Sequence, residues 1–331
     1  MVSSCSKFPI SSSKIKPYTL AFYNTEDLYD TKNDPGDGDD AYLPTGAKAW
    51  TDTRYKTKLK HIAAVIGGIG GQDGPAVVGL SEVENKKVLQ DLINTPPLRK
   101  HKYGIIHNDL PNEKTQDVAL LYQPRHFKPT GTKTIDSGGK NPTGWAMLQV
   151  KGELRGELVT FYVVHWPPAE KNKRGKLNDT AQRKLASVLR QEIKAQQAAD
   201  LNTKIIVLGD FNAEPRTTVM RDALKANGRP DPSYQEELFN TLYLPYVNGL
   251  GSYASRGDFQ MPDQILISKS LLNGKPGLQY VRGSAAVYDR NDIKFLYGKY
   301  RDTPIRTYSG NLYIGGYSDH FPVFIKVQKD K

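Results

Sequence analysis

Short apolar runs, most of them alternating or unbroken over four to eight residues, recur along this chain at 18–23, 76–83, 103–107, 118–122, 146–150, 158–166, 205–208, 264–267 and 321–327. Each is rich in Val, Ile, Leu, Phe or Tyr and is bounded by polar or turn residues, which predicts strands. Helical spacing is rarer. Leu59, Ile62, Ala63 and Ile66 share one face and stop at Gly67-Gly68. Over 178–199, Leu185, Val188, Leu189 and Ile193 form an inward stripe, with Lys, Arg and Gln outward. Many strands with few helices between them predict two sheets packed face to face and flanked by helices. No repeat, low-complexity tract or linker interrupts the pattern. A flexible segment at 1–17 is therefore expected to precede a single catalytic domain over 18–331.

Two glycine-containing stretches invite other readings. The cluster from Gly67 to Gly74 follows a helix and does not complete G-x-G-x-x-G, so it reads as a helix stop and not as a dinucleotide loop. The acidic stretch Asp34-Pro35-Gly36-Asp37-Gly38-Asp39-Asp40 lacks the register of an EF-hand and reads as a solvated loop.

With 38% hydrophobic and 24% charged residues the chain can bury a large core, and no apolar run approaches the ~20 residues that span a bilayer. The net charge of +11 favours polyanionic partners such as nucleic acid, phosphate esters or acidic headgroups. Cys5 is the one cysteine, so an internal disulfide framework and a cysteine-based zinc site are both excluded. Val2-Ser3-Ser4-Cys5 is similar to the end of a bacterial lipoprotein signal, yet the apolar stretch that should precede it is missing. A trimmed export signal and a chance likeness both stay open, as does the compartment.

Chemistry concentrates where strands end. Ile205-Ile206-Val207-Leu208 runs straight into Gly209-Asp210-Phe211-Asn212. On an extended chain Asp210 and Asn212 point to one side while Phe211 packs behind them. Asn24, Glu82, His165, Asp263 and Ser318-Asp319-His320 occupy comparable positions, which suggests the rim of one site on a rigid scaffold. The set suits hydrolysis at phosphorus. A phosphodiester repels nucleophiles and has a poor leaving group, so carboxylates that hold a hard cation, a positioned water and proton-moving histidines are the remedy. Glu82, Asp319 and the Asn24 amide offer the oxygen ligands that Mg²⁺ or Mn²⁺ prefers, with Ca²⁺ a further candidate.

In order along the chain, Asn24-x-Glu26, Leu80-Ser81-Glu82-Val83-Glu84-Asn85, Val164-His165-Trp166, Gly209-Asp210-Phe211-Asn212, Asp263-Gln264-Ile265-Leu266 and Ser318-Asp319-His320 resemble the motifs of the endonuclease/exonuclease/phosphatase superfamily. Within it, the chain is most similar to a bacterial subgroup with Asn-x-Glu-x-Leu near the start and Gly-Gly-Tyr-Ser-Asp-His-Phe-Pro at the end. The resemblance implies a deoxyribonuclease I-like four-layer α/β sandwich of two mostly antiparallel sheets. It implies Glu82 as the principal metal ligand with Asn24 and Asp319 close by, and Asp210 and Asn212 aligning water and phosphate. It also implies Asp263 orienting His320, and Asp117 orienting His165. Two departures concern the phosphate side: Gly144-Trp145 stand where relatives often carry an arginine, and Lys114-Thr115-Gln116 replace an Arg-Gly before Asp117.

The remaining candidates read as ordinary. His61 and His101 are expected at the surface, His107 and His126 in structural roles, and Trp50, Trp145 and Trp166 in packing. Lys171, Lys173, Arg174 and Lys176 form a basic run beside His165 that can be a solvated face or a phosphate contact. Three functions compete: a metal-dependent nuclease or phosphodiesterase on nucleic acid, a hydrolase of inositol phosphates or phospholipids, and a non-catalytic polyanion binder. A monomer without a stable protein partner is expected.

Overall fold

Two seven-stranded sheets stack face to face in the computed structural model, which describes residues 16–34, 39–108, 117–136, 145–171, 175, 177–229, 236–255, 257–272 and 277–329. Cys5 and the lipoprotein-like tetrad, residues 35–38 of the acidic loop, Lys114-Thr115-Gln116, Thr143-Gly144, and Lys173, Arg174 and Lys176 lie outside the described residues. The main elements in chain order are β1 (Tyr18–Leu28), α1 (Asp52–Gly68), β2 (Val77–Val83), α2 (Lys86–Asn94), β3 (Gly104–His107), β4 (Asp117–Tyr122), β5 (Phe127–Asp136), β6 (Ala146–Leu154) and β7 (Glu157–His165). There follow α3 (Thr180–Ala199), β8 (Lys204–Asp210), β9 (Leu238–Asn240), β10 (Asp263–Ser268), β11 (Leu278–Tyr280) and β12 (Val323–Lys329).

The first sheet has the order β11-β12-β1-β2-β4-β3, with Ala286–Val287 beside β12. The second runs from Ala226–Asn227 through β9-β10-β8-β7-β6 to β5. Both are mixed: β1 with β2, β7 with β8 and Ala226–Asn227 with β9 pair in parallel, and the other neighbours are antiparallel.

Period-two alternation separates two cores. Ile206 and Leu208 of β8, like Phe161 and Val163 of β7, face the first sheet, whereas Ile205, Val207, Tyr162 and Val164 face α3. Leu185, Leu189 and Ile193 of α3 complete that outer core. On the far side, Leu59, Ile62 and Ile66 of α1 and Val88, Leu89 and Leu92 of α2 cover the first sheet. The four expected layers result: helices, sheet, sheet, helix. The sheets approach closely at Gly79, where a Cβ would lie 3.2 Å from that of Leu208. Capping fixes where two helices begin: the Thr51 side chain accepts from Arg54 N, and the Asn85 side chain from Val88 N at 3.0 Å.

Candidate active site

One end of the sandwich gathers the strand termini. In the second sheet Asp210 pairs with His165 on one side and Asp263 on the other, so three chemical residues stand in a row across β7, β8 and β10. In the first sheet Asn24 lies beside Ser81, the residue before Glu82. Asp319 and His320 arrive on the segment that leads into β12. Glu82, His165, Asp210, Asn212, Asp319 and His320 line one cavity of about 1040 Å³. Asn24 and Asp263 lie fully buried beneath it.

The polar contacts join both sheets. Asn24 Nδ2 donates to Glu82 Oε1 at 2.8 Å and to Asp210 Oδ2 at 3.1 Å. Its oxygen is identified by the backbone, because Oδ1 accepts from Glu26 N at 2.9 Å. Asn24 was expected among the metal ligands. Here its nitrogen faces the two carboxylates and links Glu82 to Asp210. Glu82 Oε2 accepts from Asp27 N at 3.0 Å. Asp210 Oδ1 accepts from Asn212 N at 2.8 Å, and Asp210 Oδ2 stands 4.0 Å from Nε2 of both His165 and His320.

The backbone reaches this arrangement through unusual turns. Glu82 adopts φ 59° at a bulge where the β2–β4 register shifts, and Glu26 and Asp27 adopt 49° and 59° where β1 shifts against β2. A bulge re-aims a side chain out of the pleat. Asn212, at φ 45°, corrects the expectation that it continues the strand: β8 ends at Asp210, and a left-handed residue swings the Asn212 amide to donate to Trp166 O at 2.7 Å. It still lines the cavity.

The two histidines are pushed in opposite directions. Burial alone would lower the His320 pKa, but Asp263, whose Oδ2 lies 2.7 Å from His320 Nδ1, and then Asp319 and Asp210 hold it well above the usual range. His165 is lowered by burial, a push that Asp210 opposes and His320 reinforces. Burial raises the Asp210 carboxyl, and the neighbouring Asp263 adds to the rise. Glu82 is raised well above the ordinary carboxylate range by burial, then by the charges of Asp27 and Asp319.

Asp117 does not orient His165. Its Oδ2 lies 2.9 Å from His107 Nε2, because β4 runs between β2, where Asp117 pairs with Val83, and β3, where His107 pairs with Ala119. Among the described residues, the carboxylates near His165 Nε2 are Glu82 at 3.7 Å and Asp210. Two aromatic side chains missed as site residues also line the cavity: Trp145, edge-on to His165 with centroids 4.9 Å apart, and Tyr253, 4.7 Å from the His320 ring. Trp145 was expected to pack, although it stands where relatives often carry a phosphate-side arginine, and nothing in the sequence marks Tyr253.

The residues suit a divalent cation. Glu82 and Asp319 carry partly accessible carboxylates into the cavity, and Asp27 lies close enough to Glu82 to add negative charge there. Asp210, Asp263 and His320 also offer ligand atoms within 4.8 Å of one another. The last two already pair through a short hydrogen bond, however, which suits a proton relay better than coordination.

Residues 19–329 match the model of the Endonuclease/Exonuclease/phosphatase family. The chain belongs to that family. Membership makes the protein a hydrolase of phosphate esters. Solved structures agree on the fold. An endonuclease/exonuclease/phosphatase family protein of Bacteroides thetaiotaomicron is 18% identical at a TM-score of 0.58, covering 96% of this chain and 99% of that one. D. rerio TDP2 complexed with a single-strand DNA product is 12% identical at 0.57, covering 95% and 99%. A mannosyl-6-phosphatase of B. thetaiotaomicron is 16% identical at 0.54, covering 94% and 99%. Among curated proteins, none matches the sequence.

Proposed function

We propose that this chain is a Mg²⁺- or Mn²⁺-dependent phosphodiesterase that hydrolyses nucleic acid by attack of an activated water at phosphorus. The observation that carries the reading is the placing of a buried carboxylate, Asp210, 4.0 Å from two histidines of opposite charge preference, beside two acids able to hold a cation.

Glu82 and Asp319 would hold the metal, which when bound offsets charge on the phosphate oxygens and makes the phosphorus easier to attack. Asn24 keeps Glu82 and Asp210 in fixed relation. Asp210 accepts the proton of the attacking water, a task that its raised pKa favours by bringing it nearer neutral pH. His320, kept protonated by Asp263, donates a hydrogen bond to the phosphate as negative charge builds and the P–O ester bond breaks, the departing oxygen taking its proton from solvent. Neutral His165 supplies a second polar contact on the other side of Asp210. Trp145 and Tyr253 give the organic part of the substrate two aromatic surfaces, which suits nucleosides, and TDP2 of the same fold is known with a DNA product.

The test is a substrate panel run with Mg²⁺ or Mn²⁺: plasmid DNA, bis(p-nitrophenyl) phosphate, p-nitrophenyl phosphate, an inositol phosphate and sphingomyelin. Cleavage of DNA and the diester, lost with EDTA and in Glu82→Ala, supports the proposal. Turnover of monoesters or lipid alone moves the substrate to the phosphatase or phospholipase C-like class. Salt-sensitive DNA binding without turnover of any ester leaves a polyanion binder.

A further inference from the structure

Lys58 stands in the middle of α1 with its side chain 1% exposed, and among the described residues its polar partners belong to the end of β1, which carries Asn24, and to the stretch that leads to Asp319. Its Nζ lies 2.5 Å from Thr307 Oγ1, 2.8 Å from Tyr317 O and 3.6 Å from Glu26 Oε2. The first two are hydrogen bonds and the third is an ion pair, and Lys58 is not among the residues that line the cavity. Glu26 Oε2 in turn accepts from Thr307 N at 2.6 Å.

Two of the three partners stand two residues from a site residue. Tyr317 precedes Asp319 by two positions, and Glu26 follows Asn24 by two. Glu26 and Asp27 form the left-handed turn whose Asp27 N–H grips Glu82. Across the same gap, Ser318 Oγ donates to Asn24 O at 2.8 Å and accepts from His320 N at 3.1 Å. His61, one turn along α1 and expected at the surface, leans on the same loop: its Nδ1 lies 3.0 Å from Gly316 O, and its ring stacks on Tyr317 at 4.4 Å.

We infer that Lys58 is a positioning residue that ties the Asp319 loop to the Glu26-Asp27 turn and thereby sets how far Asp319 stands from Glu82. Given the metal-dependent reading above, on which this rests, its loss weakens the cation site while leaving both acids in place. A substitution at Lys58 also strands the buried Glu26 carboxylate, which destabilises the fold by itself, so two variants are needed.

Lys58→Met and the double variant Lys58→Met/Glu26→Gln are compared with wild type by calorimetric titration with Mn²⁺ in the absence of substrate, by thermal unfolding, and by diester hydrolysis over a Mn²⁺ series. The expected result is that the double variant recovers most of the Tm lost by Lys58→Met, yet binds Mn²⁺ at least tenfold more weakly than wild type. Its kcat at saturating Mn²⁺ should fall less than its metal affinity. A double variant with wild-type Mn²⁺ affinity overturns the inference and leaves Lys58 as a neutraliser of Glu26. Wild-type protein that takes up no Mn²⁺ and cleaves nothing overturns the metal-dependent reading itself.

Discussion

At the scale of single residues, the chemistry depends on charges that are kept where water would not leave them. Asp263 holds His320 protonated, so Asp263→Asn should lower kcat by about 10²–10⁴ and move the alkaline limb of the pH–rate profile to lower pH. An unchanged limb would remove the imidazolium from the mechanism. Glu84, close by, is buried enough to be raised to about 8. An acid raised on folding binds more protons in the native chain than in the unfolded one, so stability falls as pH rises from its unfolded value toward 8. Glu84→Gln keeps an oxygen for the Asp30 N–H, now 2.7 Å from Glu84 Oε2, and should raise Tm at pH 8 but not at pH 4, read by calorimetry. Residue types at strand ends were enough to name Glu82, Asp210, His165, Asp319 and His320 as one set. They were not enough to pair Asp117 correctly, because which histidine a carboxylate meets depends on strand order, and β3 enters next to β4.

Among the elements, those with a buried apolar face were the ones that hydrophobic patterning revealed. β8 and α3 came through nearly intact, whereas β5 did not: its interior reads Lys-Pro-Thr-Gly-Thr-Lys-Thr and is mostly exposed, as an edge strand with charge along it can be. α2 escaped notice because nine residues give only Val88, Leu89 and Leu92 to the core. β1 was expected to stop at Asn24 but continues to Leu28 through its register shift, and no local sequence rule announces a bulge without glycine. Close packing between elements is testable at Gly209, where an added Cβ would meet Val164 Cγ2 at 2.1 Å and Val164 O at 2.5 Å. Gly209→Ala should therefore cost about 1–3 kcal/mol in urea unfolding and displace Asp210 enough to depress turnover. A variant of wild-type stability and rate would show that β7 and β8 can separate without penalty.

For the molecule as a whole, the charge of +11 bears on encounter more than on chemistry. Raising salt from 50 to 200 mM should increase KM for plasmid DNA at least tenfold while changing that for bis(p-nitrophenyl) phosphate by less than threefold, as a titration of initial rates would show. Equal changes would dissociate the basic surface from substrate capture. The layered fold was foreseeable from many strands and few helices, but the order of strands within each sheet was not, since pairing partners lie far apart in the chain. That order sends the polypeptide through β1–β4 of one sheet, then the whole of the other, and back for β11 and β12. Asp319 and His320 immediately precede β12, which pairs with β1 as well as β11. The reactive constellation is therefore complete only once the segment before β12 has docked beside β1, so a change that loosens this pairing would silence the site without touching a single reactive side chain.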